Sequence, residues 1–186
     1  MRILGVSGSL REGSFNTSLL QAAAEAAPEG VELELWDGLA ELPLYDEDLD
    51  NDDAPEPVRK LREAWDAADA ILFATPEYNG SVPGGLKNAV DWGSRPRLEA
   101  PLRNKPVAVV GASTGQFGAI WAQQDLKRIL GIAGARVVGT EIPVSRADER
   151  FDSEGRLLDG EIFEQLRLHL TTLAAEAVAA PERAAA

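Results

Sequence analysis

Short runs of branched apolar residues alternate with segments of helical periodicity along almost the whole of this 186-residue chain. A strand that is apolar on both faces has to be covered on both faces, and the helices between parallel strands supply that cover. The chain is therefore predicted to be an α/β protein with a doubly wound parallel sheet. We expect five strands, at residues 2–7, 31–36, 70–75, 106–112 and 136–142, and five helices, at residues 16–27, 56–67, 83–94, 118–131 and 160–179.

The length of the chain suits one domain, and its apolar content of 45% is sufficient for a full core. We expect a single domain over residues 1–180 and a frayed tail at 181–186. Residues 39–58 carry a run of acidic side chains together with prolines, so an extended surface loop is predicted there. This loop is either a solvated acidic segment or a functional lid or interface arm.

Composition excludes several classes of function. A net charge of −13 argues against general binding of nucleic acid or of acidic membrane surfaces. The absence of cysteine excludes disulfides, a thiolate nucleophile and thiolate-bound metal, and no metal site is expected. No run approaches ~18 consecutive apolar residues, and the first residues do not resemble a signal peptide. We expect a cytoplasmic protein that does not bind membranes.

The loop after the first predicted strand reads GSLREGSFNT, residues 8–17. In a doubly wound sheet, ligands bind outside the carboxyl ends of the strands, where this loop lies. Its hydroxyl and amide groups, the free N–H groups of the following helix and the guanidinium of Arg11 suit a phosphate monoester. The alternative is an ordinary turn with a helix cap. The sequence lacks the P-loop motif and the dinucleotide motif G-x-G-x-x-G.

Two further loops are expected at the same edge of the sheet. The segment TPEYNGSVPGGLKNAVDW, residues 75–92, follows the third strand, and its Tyr78 and Asn79 offer a flat aromatic surface and an amide. The implied ligand is a planar ring that forms hydrogen bonds. The segment GASTGQFG, residues 111–118, follows the fourth strand and could cover the opposite side of that ring.

Together, these three segments closely resemble the NAD(P)H-dependent FMN reductases of flavodoxin-like fold, a group that includes bacterial chromate and quinone reductases. The resemblance spans about residues 2–140 and implies a three-layer fold with strand order 2-1-3-4-5. The first loop would hold the FMN phosphate, the second would line the ribityl chain and the isoalloxazine, and the third would close the other side of the ring. The implied cofactor-binding residues are Ser9, Arg11, Ser14, Phe15, Asn16, Thr17, Pro76, Glu77, Tyr78, Asn79, Gly80, Ser113, Thr114 and Gly115.

The resemblance also implies a reaction that needs no catalytic side chain, because the flavin carries the chemistry. NADPH or NADH would deliver two electrons, and a small acceptor such as a quinone, an azo compound, chromate or free flavin would take them in a ping-pong cycle. The family pattern has small residues, often paired glycines, where this chain has Gln116 and Phe117, so the acceptor preference stays open. Arg95 and Arg97 are candidates for the choice between NADH and NADPH.

Homodimers or homotetramers are implied by the same resemblance. Trp92 is either a core residue or part of a subunit interface, and Tyr45 of the acidic loop could reach a partner's site. Two rivals share the FMN pocket: an electron carrier of the flavodoxin type, and a binding protein that senses FMN or NAD(P)H.

A third rival is a serine hydrolase, since residues 111–115 match the nucleophile motif G-x-S-x-G. The only histidine, His169, shares a helical face with Ile162, Leu166 and Leu173. We therefore interpret His169 as a packing residue rather than a catalytic base.

Overall fold

A parallel sheet in the order β2-β1-β3-β4-β5 lies at the centre of the fold, which confirms the predicted strand order. The computed structural model describes residues 1–179, so the predicted tail at 181–186 lies outside the described residues. The strands are β1 Arg2–Ser7, β2 Glu32–Trp36, β3 Ala70–Ala74, β4 Pro106–Ala112, β5 Arg136–Val137 and β6 Pro143–Val144.

The predicted fifth strand, residues 136–142, is wrong in its extent. Two short strands, β5 and β6, pair in parallel with successive halves of β4 instead of forming one continuous strand. Gly139 has a φ of 73° in the segment between them, which takes the backbone out of strand geometry. A side chain at Gly139 would collide with the imidazole of His169, so glycine is required at this position.

Helices cover both faces of the sheet, and the five predicted helices all form. Their ends agree with the prediction within two residues. One short helix, α5, was not predicted. The helices are α1 Phe15–Glu25, α2 Glu56–Ala67, α3 Gly84–Gly93, α4 Ile120–Ile132, α5 Ala147–Arg150 and α6 Gly160–Ala179. Within residues 1–179, none of the helices combines the length and the apolar character that crossing a bilayer requires.

Two apolar clusters lie on opposite faces of the sheet. Alternate residues of each central strand point to opposite faces, so Leu72 packs with α1 and α6 while Phe73 packs with α2, α3 and α4. All residues of β3 and β4 are buried. Trp92 is fully buried in the second cluster, so it is a core residue and not part of an exposed subunit interface. The helices thus leave the carboxyl edge of the central strands to the connecting loops.

The acidic segment 39–58 is attached to α3 and is not simply extended. Asn88 donates from Nδ2 to the carbonyl of Pro43 at 2.8 Å and accepts from the backbone N–H of Tyr45 at 2.8 Å. The indole N–H of Trp92 donates to the same Pro43 carbonyl at 2.8 Å. The Tyr45 ring packs edge to face on Trp92 of its own chain, with centroids 4.8 Å apart. One turn of 3-10 helix, Gly38–Glu41, overlaps the start of the segment, and a second, Glu47–Leu49, lies within it.

Candidate functional site

A cleft of about 420 Å³ opens at the carboxyl edge of β1, β3 and β4, next to the point where the strand order reverses. It receives residues from all three loops that the sequence singled out. All of the lining residues except Ala112 belong to the predicted set. They are Ser9, Arg11, Ser14, Phe15, Asn16, Pro76, Glu77, Tyr78, Ala112, Ser113 and Thr114.

Three serines in the cleft share one local geometry. Ser9 accepts a hydrogen bond from the backbone N–H of Arg11 at 3.4 Å, and Ser14 accepts from that of Asn16 at 3.2 Å. Ser113 accepts in the same way from Gly115 at 3.1 Å. A hydroxyl that accepts from a backbone amide still has its own proton to donate. The cleft therefore offers three hydroxyl donors held in place by short turns, which suits the oxygens of an anion.

Arg11 is the only cation among the described residues that line the cleft. Its Nη1 donates to the carbonyl of Glu12 at 3.1 Å, and its guanidinium lies 5.5 Å from the centroid of the Phe15 ring. The side chain is exposed, so its charge is available at the mouth of the cleft. Ser14 caps the amino end of α1, where the helix dipole is also positive. Both features favour a phosphate group at this end of the cleft.

Asn16 lies in the cleft, but its amide already has two partners. Nδ2 donates to the carbonyl of Ala112 at 3.0 Å, and Oδ1 accepts from the N–H of Ala112 at 2.9 Å. This pair fastens the first turn of α1 to the end of β4. Thr17 lies outside the lining of the cleft, and its hydroxyl is 2.9 Å from that of Ser7. The side chains of Asn16 and Thr17 therefore hold the first loop in position.

The second loop turns sharply beside the cleft. Tyr78 and Ser81 exchange two backbone hydrogen bonds, at 3.1 and 3.2 Å, around a two-residue turn. Asn79 and Gly80, the central residues, have φ values of 54° and 75°, as a type I′ turn requires. Neither of them lines the cleft, whereas the exposed ring of Tyr78 does. The Asn-Gly pair is a sequence signal for this type of turn, although the turn itself was not predicted.

Glu77 connects the second loop to α4. The N–H of Ala122, in the first turn of α4, donates to Oε2 of Glu77 at 3.1 Å. Ala119 occupies the capping position of α4 and has no side-chain acceptor, so Glu77 supplies one from another loop. This contact could not be predicted from local sequence patterns, because the two residues are 45 positions apart.

Ser81 makes a second connection between the second loop and α4. Its hydroxyl donates to Oδ2 of Asp125 at 2.6 Å. This hydrogen bond, together with the neighbouring guanidinium of Arg128, lowers the pKa of Asp125 below its ordinary value. The carboxylate therefore stays charged, and its hydrogen bond with Ser81 fixes the second loop to α4.

The third loop is anchored by the strand β6 and the turn after it. Ser113 donates from its backbone N–H to the carbonyl of Val144 at 3.0 Å, and Gly115 accepts from the N–H of Arg146 at 3.1 Å. A Cβ on Gly118 would come within 2.7 Å of the backbone nitrogen of Val144, so only glycine fits there. Ser113 and Thr114 line the cleft, but Gly115 does not.

The serine hydrolase reading is contradicted by the position of His169. Ser113 lines the cleft, whereas His169 lines a different cavity, beside Gly139. Among the described atoms, Nε2 of His169 has no hydrogen-bond partner. Burial, helped by the charge of Lys127, lowers the pKa of His169 to about 4. The histidine is thus a buried neutral side chain, as the packing interpretation predicted.

Arg95 and Arg97 do not line the cleft. They lie in a separate groove of about 810 Å³ between α3 and α4. The guanidinium of Arg95 is 5.9 Å from the ring centroid of Tyr45. Their predicted influence on the choice of nucleotide is therefore not supported by a position in the cleft.

Comparisons with known proteins agree on one kind of enzyme. The sequence profile of the family described as NADPH-dependent FMN reductase matches residues 1–149. The chain is 45% identical over 174 residues to an NAD(P)H-dependent FMN reductase of Pseudomonas aeruginosa, with 93% of each chain covered. It is 35% identical over 176 residues to a 2-hydroxy-1,4-benzoquinone reductase of a Burkholderia species, covering 94% of this chain and 95% of the relative.

A solved structure shows the same likeness in three dimensions. The flavoenzyme NAD(P)H:(acceptor) oxidoreductase FerB of Paracoccus denitrificans superimposes with a TM-score of 0.83 at 32% identity. The alignment covers 96% of this chain and 98% of that one. The similarity thus includes the loops that form the cleft as well as the sheet.

Proposed function

Because the chain belongs to the NADPH-dependent FMN reductase family, we propose that it transfers two electrons from NADPH or NADH to quinones or similar small acceptors. The protein is an NAD(P)H-dependent oxidoreductase that uses FMN as its cofactor. The observation that carries the proposal is the cleft at the sheet edge, where three loops contribute hydroxyl donors, one guanidinium and one exposed aromatic ring.

The residues of the cleft fit FMN by the chemistry of their donors. Ser9, Ser14 and Arg11, with the amino end of α1, would hold the phosphate. Tyr78 would line the ribityl chain and the isoalloxazine, and the loop around Ser113 and Thr114 would close one side of the ring. When bound, FMN supplies the hydride-accepting ring and the two-electron chemistry. The task of the chain is to hold that ring rigidly and to leave one side of it open.

One open side would serve the nicotinamide and the acceptor in turn, so we propose a ping-pong cycle. The names of the relatives support quinones as acceptors, since one is a 2-hydroxy-1,4-benzoquinone reductase and another, from Escherichia coli, is a quinone reductase. Azo compounds, chromate and free flavin are further proposed acceptors. A ping-pong cycle predicts parallel double-reciprocal plots when NADPH is varied at several fixed quinone concentrations.

We also propose that the protein acts as a homodimer or homotetramer. The groove between α3 and α4 is lined by Leu98 and Ile132, which are 77% and 75% exposed in the single chain. A second copy covering this groove would remove both side chains from water. Sedimentation equilibrium at micromolar concentration should give a mass of two or four chains, and a single-chain mass would contradict the proposal.

The decisive experiment is anaerobic titration of the purified protein loaded with FMN. Addition of NADPH or NADH should bleach the visible flavin absorption, and subsequent addition of 1,4-benzoquinone should restore it. A bound flavin that neither nucleotide reduces would favour the electron carrier. Reduction without turnover on any acceptor would favour a sensor of FMN or NAD(P)H. Failure to take up FMN would overturn the assignment of the cleft.

A further inference from the structure

Four large apolar side chains are exposed in the part of the chain that forms the cleft. They belong to the three loops that form it and to the helix that follows the third. Leu10 lies between two lining residues of the first loop, and Tyr78 itself lines the cleft. The four are Leu10, Tyr78, Phe117 and Trp121, with exposures of 63%, 54%, 50% and 47%. A polar cleft with an apolar rim is suited to a ligand that is itself partly apolar.

Two of these side chains form a pair. The rings of Phe117 and Trp121 contact each other with centroids 4.8 Å apart and planes inclined by 52°. Each ring keeps about half of its surface in water. Neither residue belongs to the two apolar clusters of the core. The pair therefore presents aromatic surface to the solvent that packing of the fold does not explain.

Both residues of the pair are close along the chain to residues that line the cleft or bond to its lining. Phe117 follows the lining residue Thr114 by three positions, so their Cα atoms are within about 11 Å of each other. Trp121 precedes Ala122, whose N–H is bonded to the lining residue Glu77 at 3.1 Å. One ring is thus tied to the cleft along the third loop, and the other through the contact between α4 and Glu77.

The backbone that carries the pair is held rigidly. Ile120 donates from its N–H to the carbonyl of Phe117 at 3.1 Å. The buried amide of Gln123 donates to the carbonyl of Gly118 at 3.0 Å and accepts from the N–H of Ile142 at 3.0 Å. Because Gly118 is pressed against β6, the loop has no room to shift in that direction. Rings on such a backbone lose little conformational entropy when a ligand stacks on them.

We propose that Phe117 and Trp121 form an aromatic wall that selects planar aromatic acceptors over inorganic oxyanions. This inference rests on the proposed function of the cleft and names the acceptor class. Aromatic rings stack on uncharged planar rings and offer no charge to an oxyanion. The net charge of −13 also opposes the approach of a dianion such as chromate. In the favoured reaction, NAD(P)H and one proton convert a quinone to a hydroquinone and NAD(P)⁺, so electrons and protons balance.

Binding to the wall can be tested without turnover. The probe is 1,4-naphthoquinone, titrated calorimetrically into the oxidised FMN-loaded protein and, separately, into the FMN-free protein. We expect the variants Phe117→Ala and Trp121→Ala each to raise the dissociation constant about three- to tenfold, as loss of an aromatic contact predicts. The conservative variants Phe117→Tyr and Trp121→Phe should retain most of the affinity. Leu168→Ala, which removes an exposed apolar side chain from α6, is the matched control.

Steady-state kinetics supply the second readout. The two alanine variants should raise the KM for 1,4-naphthoquinone by a similar factor and leave the KM for chromate within twofold of the parent. An equal rise in KM for both acceptors, or no rise for either, would contradict the proposed role of Phe117 and Trp121. So would a change in sedimentation coefficient that accompanies the loss, because the rings would then belong to a contact between subunits. If the alanine variants weaken the binding of 1,4-naphthoquinone but the parent protein shows no reductase activity, the proposed function is contradicted and the role of the two rings in binding is not.

Discussion

At the scale of single residues, the cleft contains side chains that still have donors to offer and side chains whose polar atoms are already used to hold the loop. Ser9 and Ser14 have hydroxyl protons to donate, and Arg11 has an exposed charge. Asn16 uses both of its amide atoms on the backbone of β4. Residues of both kinds stand close together in one loop, so spacing in the sequence does not distinguish them.

The variant Arg11→Ala tests the charge at the phosphate end. Loss of a charge-assisted hydrogen bond costs about 1.5 to 3 kcal/mol, so FMN should bind about 10- to 100-fold more weakly. Quenching of FMN fluorescence on binding measures the affinity. Affinity for riboflavin, which has no phosphate, should change little. A similar loss for both ligands would show that Arg11 acts on the fold of the loop instead.

His169 predicts a particular dependence of stability on pH. Its pKa is lowered from 6.5 to about 4 by burial, with Lys127 and Glu141 as its charged neighbours. The unfolded chain therefore binds a proton below about pH 6.5 that the folded chain does not, so stability falls between pH 6.5 and 4 and is level above that range. Between pH 7 and pH 5 this group should remove about 2 kcal/mol from the free energy of unfolding.

Urea unfolding at pH 7 and at pH 5 measures that difference. The variant His169→Gln has no proton to bind in this range, so its stability should change by about 2 kcal/mol less than that of the parent. Carboxylates with lowered pKa values, such as Asp125 and Asp152, are common to both proteins and cancel in the comparison. Parallel pH profiles for the two proteins would contradict the assignment.

At the scale of elements, α3 holds the acidic segment 39–58 through Asn88 and Trp92. The variant Asn88→Ala leaves the N–H of Tyr45 without its acceptor and removes one of two donors to Pro43. We expect a loss of about 2 kcal/mol of stability and faster proteolysis within residues 46–53. Limited proteolysis followed by mass spectrometry locates the cleavage. Gln124→Ala, at an exposed amide on α4, is the control and should leave the cleavage rate unchanged.

At the scale of the whole molecule, charge opposes the ligands that the family requires. FMN and NADPH are anions, and the chain has a net charge of −13. Salt screens long-range repulsion more than the short contact with Arg11, so the association rate constant of FMN should rise about two- to fivefold between 10 and 200 mM NaCl. Stopped-flow fluorescence measures this rate. Riboflavin should show almost no dependence on salt, and a rate for FMN that falls with salt would mean that the local positive field dominates.

The fold and the location of the site were predictable because both depend on patterns local in the chain. Alternating apolar and helical segments predicted the sheet, and its carboxyl edge then predicted where the three loops meet. The resemblance to FMN reductases, which the comparisons confirm, rests on motifs in those same loops. The division of the fifth strand was not predicted: Gly139 has a φ of 73° between its two parts, and a side chain there would meet His169 of a distant helix.

Periodicity along the chain was sufficient to predict the helices and the parallel sheet, because each depends on the spacing of apolar residues between near neighbours, while the strand order followed from the resemblance of the three loops to a known family. The hydrogen-bond partners of side chains that reach distant parts of the chain are known only from the tertiary structure. Asn16 finds Ala112 at a separation of 96 residues, and Trp92 finds Pro43 at 49. Such pairs depend on which elements meet in space, and that packing cannot be read from the spacing of residues along the chain.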